Sequence, residues 1–256
     1  MRCYELSKQK NIRDLGGLIG QDGKTIKYGR LFRGGAIYKM NQEDEIILKS
    51  LHITDIIDFR SKEEFLNHPE IQLENVTYHN LPTFKEKKKS ETDRMEDGNL
   101  LWFIDEGNDG YNHLKRTYAE LIDTKEGQNA YRSFFKLLMQ EDKVFYFHCS
   151  QGKDRAGIAA YLIESALGVS NIDIEQDYLL SNIAMEKRLD TLVEMVKDKP
   201  FYNPMYHQSL LDVFSAKKEY LYEAIELLNN KYGGVISYLE NVLNVDIKAF
   251  QKLYLE

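Results

Sequence analysis

One stretch of the chain, residues 144–168, restricts the fold more than any other. It begins with an apolar run, VFYF, and continues through HCSQGKD directly into RAGIAAYLIESALG. A run without polar alternation is typical of a strand in a parallel sheet that is covered on both faces. The segment after the loop is small and apolar nearly all round, which predicts a buried helix. We therefore expect this strand, loop and helix to lie at the centre of the protein.

Three further segments have the composition of strands, and helical periodicity fills much of the sequence between them. These are RLFR at 30–33, ITDIIDF at 53–59 and VTYHNL at 76–81. The alternation predicts an α/β fold with a central, mostly parallel sheet of about four to five strands flanked by helices. From Asn171 onward helical patterns dominate, and Gly233 marks a helix end. The C-terminal third is therefore expected to form a helical cap.

The length and composition of the chain predict one domain over 1–256, with a helical elaboration at 171–256. The 256 residues are 43% hydrophobic, which suffices for one sizeable core, and no repeat or linker divides them. No segment has the length and apolarity of a signal peptide or a membrane span, so a soluble, cytoplasmic protein is expected. Cys3 and Cys149 do not make a disulfide framework. The net charge of −7 argues against a general nucleic-acid-binding surface.

The segment 84–112 breaks the pattern of strands and helices. It contains a charge run, KEKKKSETDRMEDGN, followed by LLWFIDEGNDG with the only tryptophan, Trp102. A solvated loop explains the charges. A mobile lid explains why an apolar half follows them, since that half needs a surface on which to dock. The sequence is compatible with both interpretations, a solvated loop and a mobile lid.

The loop at 149–155 combines a thiol and a guanidinium at a fixed spacing, C-x5-R. A strand end, a tight loop and a helix N-terminus direct backbone N–H groups and the positive end of a helix dipole at one point. A cysteine at such a point ionises readily, and Arg155 can form two parallel hydrogen bonds to phosphate oxygens. Gly152 supplies the backbone freedom that a tight loop needs. These features predict an anion site in which Cys149 is a thiolate nucleophile.

The same loop resembles the active-site loop of the bacterial atypical tyrosine phosphatases, whose pattern is His-Cys-x-x-Gly-Lys-Asp-Arg. Other segments are similar to that family in the same order: NIRDLGGL at 11–18, RLFRGGAI at 30–37, IIDFRSKEE at 56–64, and EQDYLLSN and NKYGGVISYL in the C-terminal part. The resemblance implies a cysteine-phosphatase-like fold and a phosphomonoester hydrolase that acts on phosphotyrosine. Some members also act on phosphoserine, phosphothreonine or phosphoinositides, so dual or phosphoinositide specificity stays open.

The resemblance also implies a two-step reaction and a role for each residue of the loop. Cys149 is expected to form a cysteinyl-phosphate, Arg155 to stabilise the phosphoryl group, and no metal or other cofactor to be needed. The residues expected to bind the substrate, a phosphorylated protein or a phosphoinositide, are His148, Ser150, Gln151, Gly152, Lys153 and Ala156. As an additional cation, Lys153 favours a multiply charged substrate.

Two carboxylates, Asp58 and Asp154, are candidates for the acid that protonates the leaving group. Asp58 ends an apolar strand, and the carboxyl ends of parallel strands form a binding crevice. Asp154 lies inside the loop, where the charge of Arg155 should hold its carboxylate ionised. This argument favours Asp58 as the acid and leaves Asp154 to position a lysine or a water. An ion pair of Asp58 with Arg33 or Arg60 is the equally weighted alternative.

One position departs from the family pattern. Ala156 follows Arg155, where relatives commonly carry Thr or Ser, whose hydroxyl assists departure of the cysteine sulfur in the second step. Loss of that hydrogen bond predicts slow release of phosphate. It also motivates a second hypothesis, a phospho-ligand-binding protein of the same fold with weak turnover. The N-terminal residues Arg13 and Asp14 are expected to be structural.

Overall fold

A six-stranded mixed sheet forms the centre of the computed structural model, which describes residues 3–7, 11–85, 109–200 and 202–256. The strands are Cys3–Tyr4 (β1), Ile12–Asp14 (β2), Leu31–Gly35 (β3), Asp55–Asp58 (β4), Thr77–Asn80 (β5) and Phe145–Cys149 (β6). Their order across the sheet is β1–β2–β3–β6–β4–β5. Strands β3, β6, β4 and β5 are mutually parallel, whereas β1 and β2 form an antiparallel edge.

The prediction of an α/β fold with a mostly parallel sheet is confirmed, and each of the four predicted strands is present. The strands that the sequence patterns miss, β1 and β2, are two and three residues long. Strand β2 is buried although Arg13 and Asp14 are charged, because their side chains find hydrogen-bond partners within the protein. A pattern based on polarity cannot identify a strand of this kind.

Helices pack on the sheet and dominate the C-terminal third of the chain. Those described are Gln42–Ser50 (α1), Lys62–Asn67 (α2), Gly110–Asp123 (α3), Lys125–Leu138 (α4), Arg155–Ala166 (α5), Asn171–Leu179 (α6), Ser181–Val196 (α7), Pro204–Phe214 (α8), Lys218–Tyr232 (α9), Val235–Asn241 (α10) and Ile247–Tyr254 (α11). Helices α6 to α11 confirm the predicted helical C-terminal region. Helix α9 ends at Gly233, which has a left-handed backbone with φ +74.

Strand β6 and helix α5 lie at the centre of the fold, as the sequence predicts. Strand β6 is flanked by β3 and β4, and all five of its residues are buried. Helix α5 is buried continuously over residues 156–164. Because the chain passes from one buried element to the next, the loop between them is held at both ends by the core.

The two faces of the sheet separate the side chains around this loop. Along β6, Phe145, Phe147 and Cys149 belong to the core cluster that includes α5. Tyr146 belongs to a second cluster on the other face, and His148 stacks on its ring. This alternation is the period of two that every strand imposes. Cys149 and His148 therefore face opposite sides of the sheet.

Residues 86–108 lie outside the described residues, so neither interpretation of the segment 84–112, solvated loop or lid, is tested. Beyond them, Asp109 caps the N-terminus of α3 by accepting hydrogen bonds from the N–H groups of Tyr111 and Asn112. The assignment of one domain to 1–256 likewise stays a prediction. Among the described helices, none combines the length and the apolarity needed to span a membrane.

Candidate active site

The loop between β6 and α5 runs from Ser150 to Asp154 and passes directly against strand β3. Within it, Gly152 has φ +72, a conformation that residues with a side chain rarely adopt. A Cβ atom at this position would lie 2.3 Å from the carbonyl carbon of Gly34. The predicted need for backbone freedom at Gly152 is thus confirmed, and the close approach to β3 adds a second reason for glycine.

Three consecutive carbonyl groups of the loop are bound by donors that lie outside it. These are the Ala36 N–H for Ser150 O at 3.3 Å, Asn11 Nδ2 for Gln151 O at 2.9 Å, and Arg33 Nη2 for Gly152 O at 3.1 Å. In a trans peptide the N–H points away from the preceding carbonyl, and the described residues contain no cis peptide bond. The N–H groups of Gln151, Gly152 and Lys153 therefore point away from these three carbonyls, toward the opposite side of the loop.

We call these three N–H groups, of Gln151, Gly152 and Lys153, the cradle. Among the described residues, no acceptor for any of them is found. Helix α5 begins at Arg155, so the positive end of its dipole adds to the same region. Backbone donors at a helix N-terminus are a favourable binding site for phosphate oxygens. The cradle can therefore hold an oxyanion without a charged side chain of its own.

Cys149, the predicted nucleophile, is the last residue of β6 and is 2% exposed. It lies on the α5 side of the sheet, immediately before the loop. Burial acts to lower the pKa of the Arg155 guanidinium. The negative charges around it outweigh burial and raise that pKa above its ordinary value, with Glu64 contributing most and Cys149 and Asp154 less. The charges of Cys149 and Arg155 therefore act on each other, and the role of Cys149 as the nucleophile stays a prediction.

Glu64 belongs to the site although the sequence analysis assigns it no role. Its oxygens accept hydrogen bonds from Arg155, Nη1 to Oε2 at 2.6 Å and Nη2 to Oε1 at 2.8 Å. The Ser150 hydroxyl donates to Glu64 at 2.5 Å and accepts from Arg155 at 3.1 Å. Burial acts to raise the pKa of Glu64, but the charge of Arg155 outweighs it and lowers that pKa to about 2. The guanidinium is consequently held in one orientation at the start of α5.

The start of α2 explains how Glu64 reaches the site. Glu64 is the third residue of α2, and its side chain also accepts a hydrogen bond from the Ser61 N–H, while the Ser61 hydroxyl accepts from the Glu64 N–H. This reciprocal capping box fixes the carboxylate at the helix N-terminus. The S-x-x-E spacing of Ser61 and Glu64 can be recognised in the sequence, but by itself it predicts only the N-terminus of a helix and not a contact with Arg155.

Glu64→Gln is expected to lower the free energy of unfolding by about 1 kcal/mol at neutral pH, since the Glu64 side chain is 37% exposed and solvent screens the pair. The ordinary pKa of glutamate is 4.5, whereas Arg155 holds that of Glu64 at about 2. The contribution of the pair is therefore complete above the ordinary pKa and is lost as the pH falls toward the lowered one. Urea unfolding of both proteins over a pH series measures the difference. A difference that does not shrink in acid would contradict this assignment.

Asp154 lies at the N-terminal boundary of α5, and its side chain is 24% exposed. The Tyr118 hydroxyl donates to Oδ1 at 2.8 Å, and Lys153 Nζ lies 3.2 Å from the same oxygen. Tyr118 in turn shares a hydrogen bond of 2.7 Å with the Tyr178 hydroxyl. Both contacts address Oδ1, so Oδ2 is the oxygen that is left for a substrate or a water.

Asp58 lies on the opposite face of the sheet from Cys149. Along β4, Ile57 packs in the same cluster as Cys149, whereas Ile56 packs in the second cluster on the other face. Because side chains alternate along a strand, Asp58 faces the same side as Ile56. Arg60 donates to both carboxylate oxygens of Asp58, through Nε at 3.0 Å and Nη2 at 2.9 Å. This is the ion pair given above as the alternative, and the arrangement speaks against Asp58 as the acid.

A buried cluster on this second face joins Asp58, Arg60, Glu70 and His148. His148 is fully buried, with Nε2 3.5 Å from Glu70 Oε2. Its side chain does not reach the substrate side of the loop, contrary to the prediction. Ligand atoms of Asp58, Glu70 and His148 lie within 4.8 Å of one another and could hold a metal ion. Arg60 already supplies a cation to both carboxylates, 2.9 Å from Asp58 and 2.7 Å from Glu70.

Lys153 contributes its N–H to the cradle but directs its ammonium elsewhere. The side chain is 1% exposed, and Nζ donates to Val213 O at 2.6 Å and to Ser215 O at 3.1 Å. These carbonyls lie at the C-terminal end of α8, where a cation interacts favourably with the helix dipole. The side chain therefore does not add a cation to the cradle, contrary to the prediction.

Comparison with known proteins places the chain in a family. A model of the tyrosine phosphatase family matches residues 4–256. A protein of Cupriavidus necator to which tyrosine-protein phosphatase activity is attributed is 28% identical, over 96% of this chain and 85% of that protein. The triple specificity protein phosphatase PtpB of Mycobacterium tuberculosis is 25% identical, over 94% of each chain. The chain therefore belongs to the tyrosine phosphatase family and is a protein-tyrosine phosphatase.

Proposed function

We propose that Cys149 attacks the phosphorus of a phosphomonoester, phosphotyrosine foremost, and forms a cysteinyl-phosphate intermediate. The observation that carries the proposal is the outward anchoring of three loop carbonyls, which leaves the cradle open beside the buried cysteine. The S–P bond forms as the bond from phosphorus to the leaving oxygen breaks. Water then attacks the same phosphorus, the S–P bond breaks, and inorganic phosphate is released. The cradle serves both steps because the same equatorial oxygens carry the charge in each.

Arg155 stabilises the transferred phosphoryl group. A guanidinium has five N–H donors. Glu64 and Ser150 accept from Nη1 and Nη2, and among the described residues no acceptor is found for the Nε–H and the second Nη1–H, which are therefore the donors assigned to phosphate oxygens. Because Glu64 fixes the plane of the guanidinium, Arg155 loses less conformational freedom when it binds the substrate.

Asp154 carries the proton in both steps. Its partial exposure supports this role, and Oδ1 is occupied by the contacts with Tyr118 and Lys153, so Oδ2 is the oxygen that carries the proton. Protonated Oδ2 gives its proton to the leaving oxygen in the first step. In the second step the ionised carboxylate takes a proton from the attacking water, which returns Asp154 to its starting form.

The substrate class follows from the charge around the cradle. In the described residues, Arg155 is the cation whose side chain serves the phosphoryl group, since Lys153 is bound to Val213 and Ser215. One phosphate on a protein tyrosine therefore fits better than a multiply phosphorylated ligand. A second cation for a multiply charged phosphoinositide would require the Lys153 ammonium to leave these carbonyls.

Phosphate release in a buffer treated with a chelator tests the proposed function. The substrates are a phosphotyrosine peptide, the same peptide with phosphoserine, and vesicles that contain a phosphatidylinositol monophosphate. We expect the largest kcat/KM with phosphotyrosine. Faster turnover of the lipid would overturn the substrate assignment, and a folded protein that releases phosphate from none of the three would overturn the proposal.

A second candidate, a phospho-ligand-binding protein with weak turnover, rests on Ala156. This residue is fully buried in the first turn of α5 and belongs to the same cluster as Cys149. Its methyl group cannot donate a hydrogen bond to the departing sulfur. The second step of the reaction therefore lacks a stabilising contact that threonine would supply.

Ala156→Thr is expected to raise the rate of the second step by about tenfold to hundredfold, since a hydrogen bond to a charged group is worth roughly 1.5 to 3 kcal/mol. Rapid mixing with p-nitrophenyl phosphate should show a burst of nitrophenol in the wild type and a smaller burst in the variant. A wild type without a burst, together with no gain in turnover, would show that the second step is not slow. Ala159→Thr, also buried in α5 but one turn farther along, is the matched control for the added volume.

A further inference from the structure

We propose that Asp177 on α6 is a positioning residue for the cradle, an assignment that rests on the proposed function. Asp177 is 2% exposed and lies between two buried arginines. Arg13 Nε donates to both of its carboxylate oxygens at 3.2 Å, and Arg33 Nη1 donates to Oδ2 at 2.9 Å. One carboxylate thus orients two guanidiniums, and each guanidinium is connected through hydrogen bonds to a carbonyl of the loop.

The first connection passes through Arg33. The guanidinium that donates to Asp177 through Nη1 also donates to Gly152 O through Nη2, at 3.1 Å. Because a guanidinium is planar and rigid, fixing one terminal nitrogen fixes the direction of the other. Arg33 is 1% exposed, so bulk solvent does not reach its guanidinium to replace the carboxylate.

The second connection passes through Arg13 and Asn11. Arg13 Nη2 donates to the main-chain oxygen of Asp177 at 2.8 Å, and its Nη1 donates to Asn11 Oδ1 at 2.5 Å. With Oδ1 held in this way, the amide of Asn11 presents Nδ2 to Gln151 O at 2.9 Å. The reverse orientation of the amide would place two oxygens against each other.

The charges make Asp177 necessary to this arrangement. Burial foremost, and then the nearby charge of Arg33, lower the pKa of Arg13 to about 10, while Asp177 and Glu164 oppose that shift. Without the Asp177 charge, two neighbouring guanidiniums repel each other in a buried site. We expect them to move apart and to release the carbonyls of Gln151 and Gly152.

Release of these carbonyls changes the cradle directly. The two peptide groups that join Gln151 to Gly152 and Gly152 to Lys153 carry the anchored oxygens at one end and cradle N–H groups at the other. If the peptides rotate, the N–H groups of Gly152 and Lys153 no longer converge on one point. A substitution of Asp177 should therefore lower the affinity of the cradle for an oxyanion, although Asp177 itself does not contact the substrate.

Asp177→Asn tests the assignment, with orthovanadate as the probe and isothermal titration calorimetry as the measurement. We expect vanadate affinity to fall at least about tenfold, as for the loss of a hydrogen bond to a charged group. We also expect KM for p-nitrophenyl phosphate to rise along with it. The matched control is Asp55→Asn, because Asp55 is equally buried, forms an ion pair with Lys143 and contacts His79, but lies at the start of β4, the end of the strand that is far from the loop. The control should lose stability without losing vanadate affinity.

Asn11→Ala removes one connection without a change of charge, and it decides the question if Asp177→Asn does not fold. We expect its vanadate affinity to fall about three- to tenfold. A folded variant, Asp177→Asn or in its place Asn11→Ala, that binds vanadate like the wild type would overturn the assignment. A wild type that binds no vanadate would instead refute the proposed function, so the two failures are distinguishable.

Discussion

Cys149→Ser is expected to lower turnover of p-nitrophenyl phosphate by at least about 10⁴-fold and to leave the affinity for inorganic phosphate within a few-fold of the wild type. The serine hydroxyl remains protonated near neutral pH, so it cannot attack phosphorus as a thiolate does. The cradle consists of main-chain N–H groups and does not depend on the sulfur. Steady-state kinetics and calorimetry on the same preparation provide the two measurements.

Cys3→Ser is the control for this substitution. Cys3 and Cys149 are the two cysteines of the chain, and Cys3 is exposed on the edge strand β1. We expect its removal to leave turnover unchanged. Loss of activity in Cys3→Ser, or more than a trace of activity in Cys149→Ser, would refute the assignment of the nucleophile.

Asp154→Asn is expected to lower kcat/KM for phenyl phosphate by about 10²- to 10⁴-fold and to have a smaller effect on kcat/KM for p-nitrophenyl phosphate. Phenolate is a poor leaving group and needs the proton, whereas nitrophenolate leaves without much help. In the wild type, kcat/KM should fall on the alkaline side of the pH profile, because the acid must be protonated when the first step begins. This alkaline decline should be absent from the variant.

Asp58→Asn separates the two candidate acids. The substitution leaves Arg60 with Glu70 as its remaining carboxylate partner in a buried site, so the free energy of unfolding should fall. We expect the dependence of kcat/KM on the leaving group to stay that of the wild type. If instead Asp58→Asn abolishes the alkaline decline and Asp154→Asn keeps it, the roles assigned to the two residues are reversed.

The centre of the site could be predicted from the sequence because its parts are local. Strand β6, the loop and helix α5 are consecutive, and the Cys149 to Arg155 spacing lies within them. The partners of the loop could not be predicted in this way. Glu64 lies 91 residues from Arg155, Asn11 lies 140 residues from Gln151, and Asp177 lies 164 residues from Arg13. Contacts over such distances along the chain leave no periodic signal.

Two loop side chains illustrate different limits of prediction. The orientation of His148 was available in the sequence, because neighbours on a strand face opposite sides and Cys149 must face the helix. The position of the Lys153 ammonium was not, since its long side chain reaches carbonyls that follow it by 60 and 62 residues. A charged residue in a motif can thus serve the surrounding scaffold rather than the ligand.

The contact between Gly152 and β3 restricts which amino acids can replace Gly152 during evolution. The atoms that a side chain at 152 would strike are the main-chain carbon and oxygen of Gly34, at 2.3 Å. Every amino acid has the same main chain, so no exchange at position 34 removes the obstacle. A substitution of Gly152 therefore cannot be compensated by any substitution at position 34. Selection for phosphatase activity is expected to keep glycine at position 152.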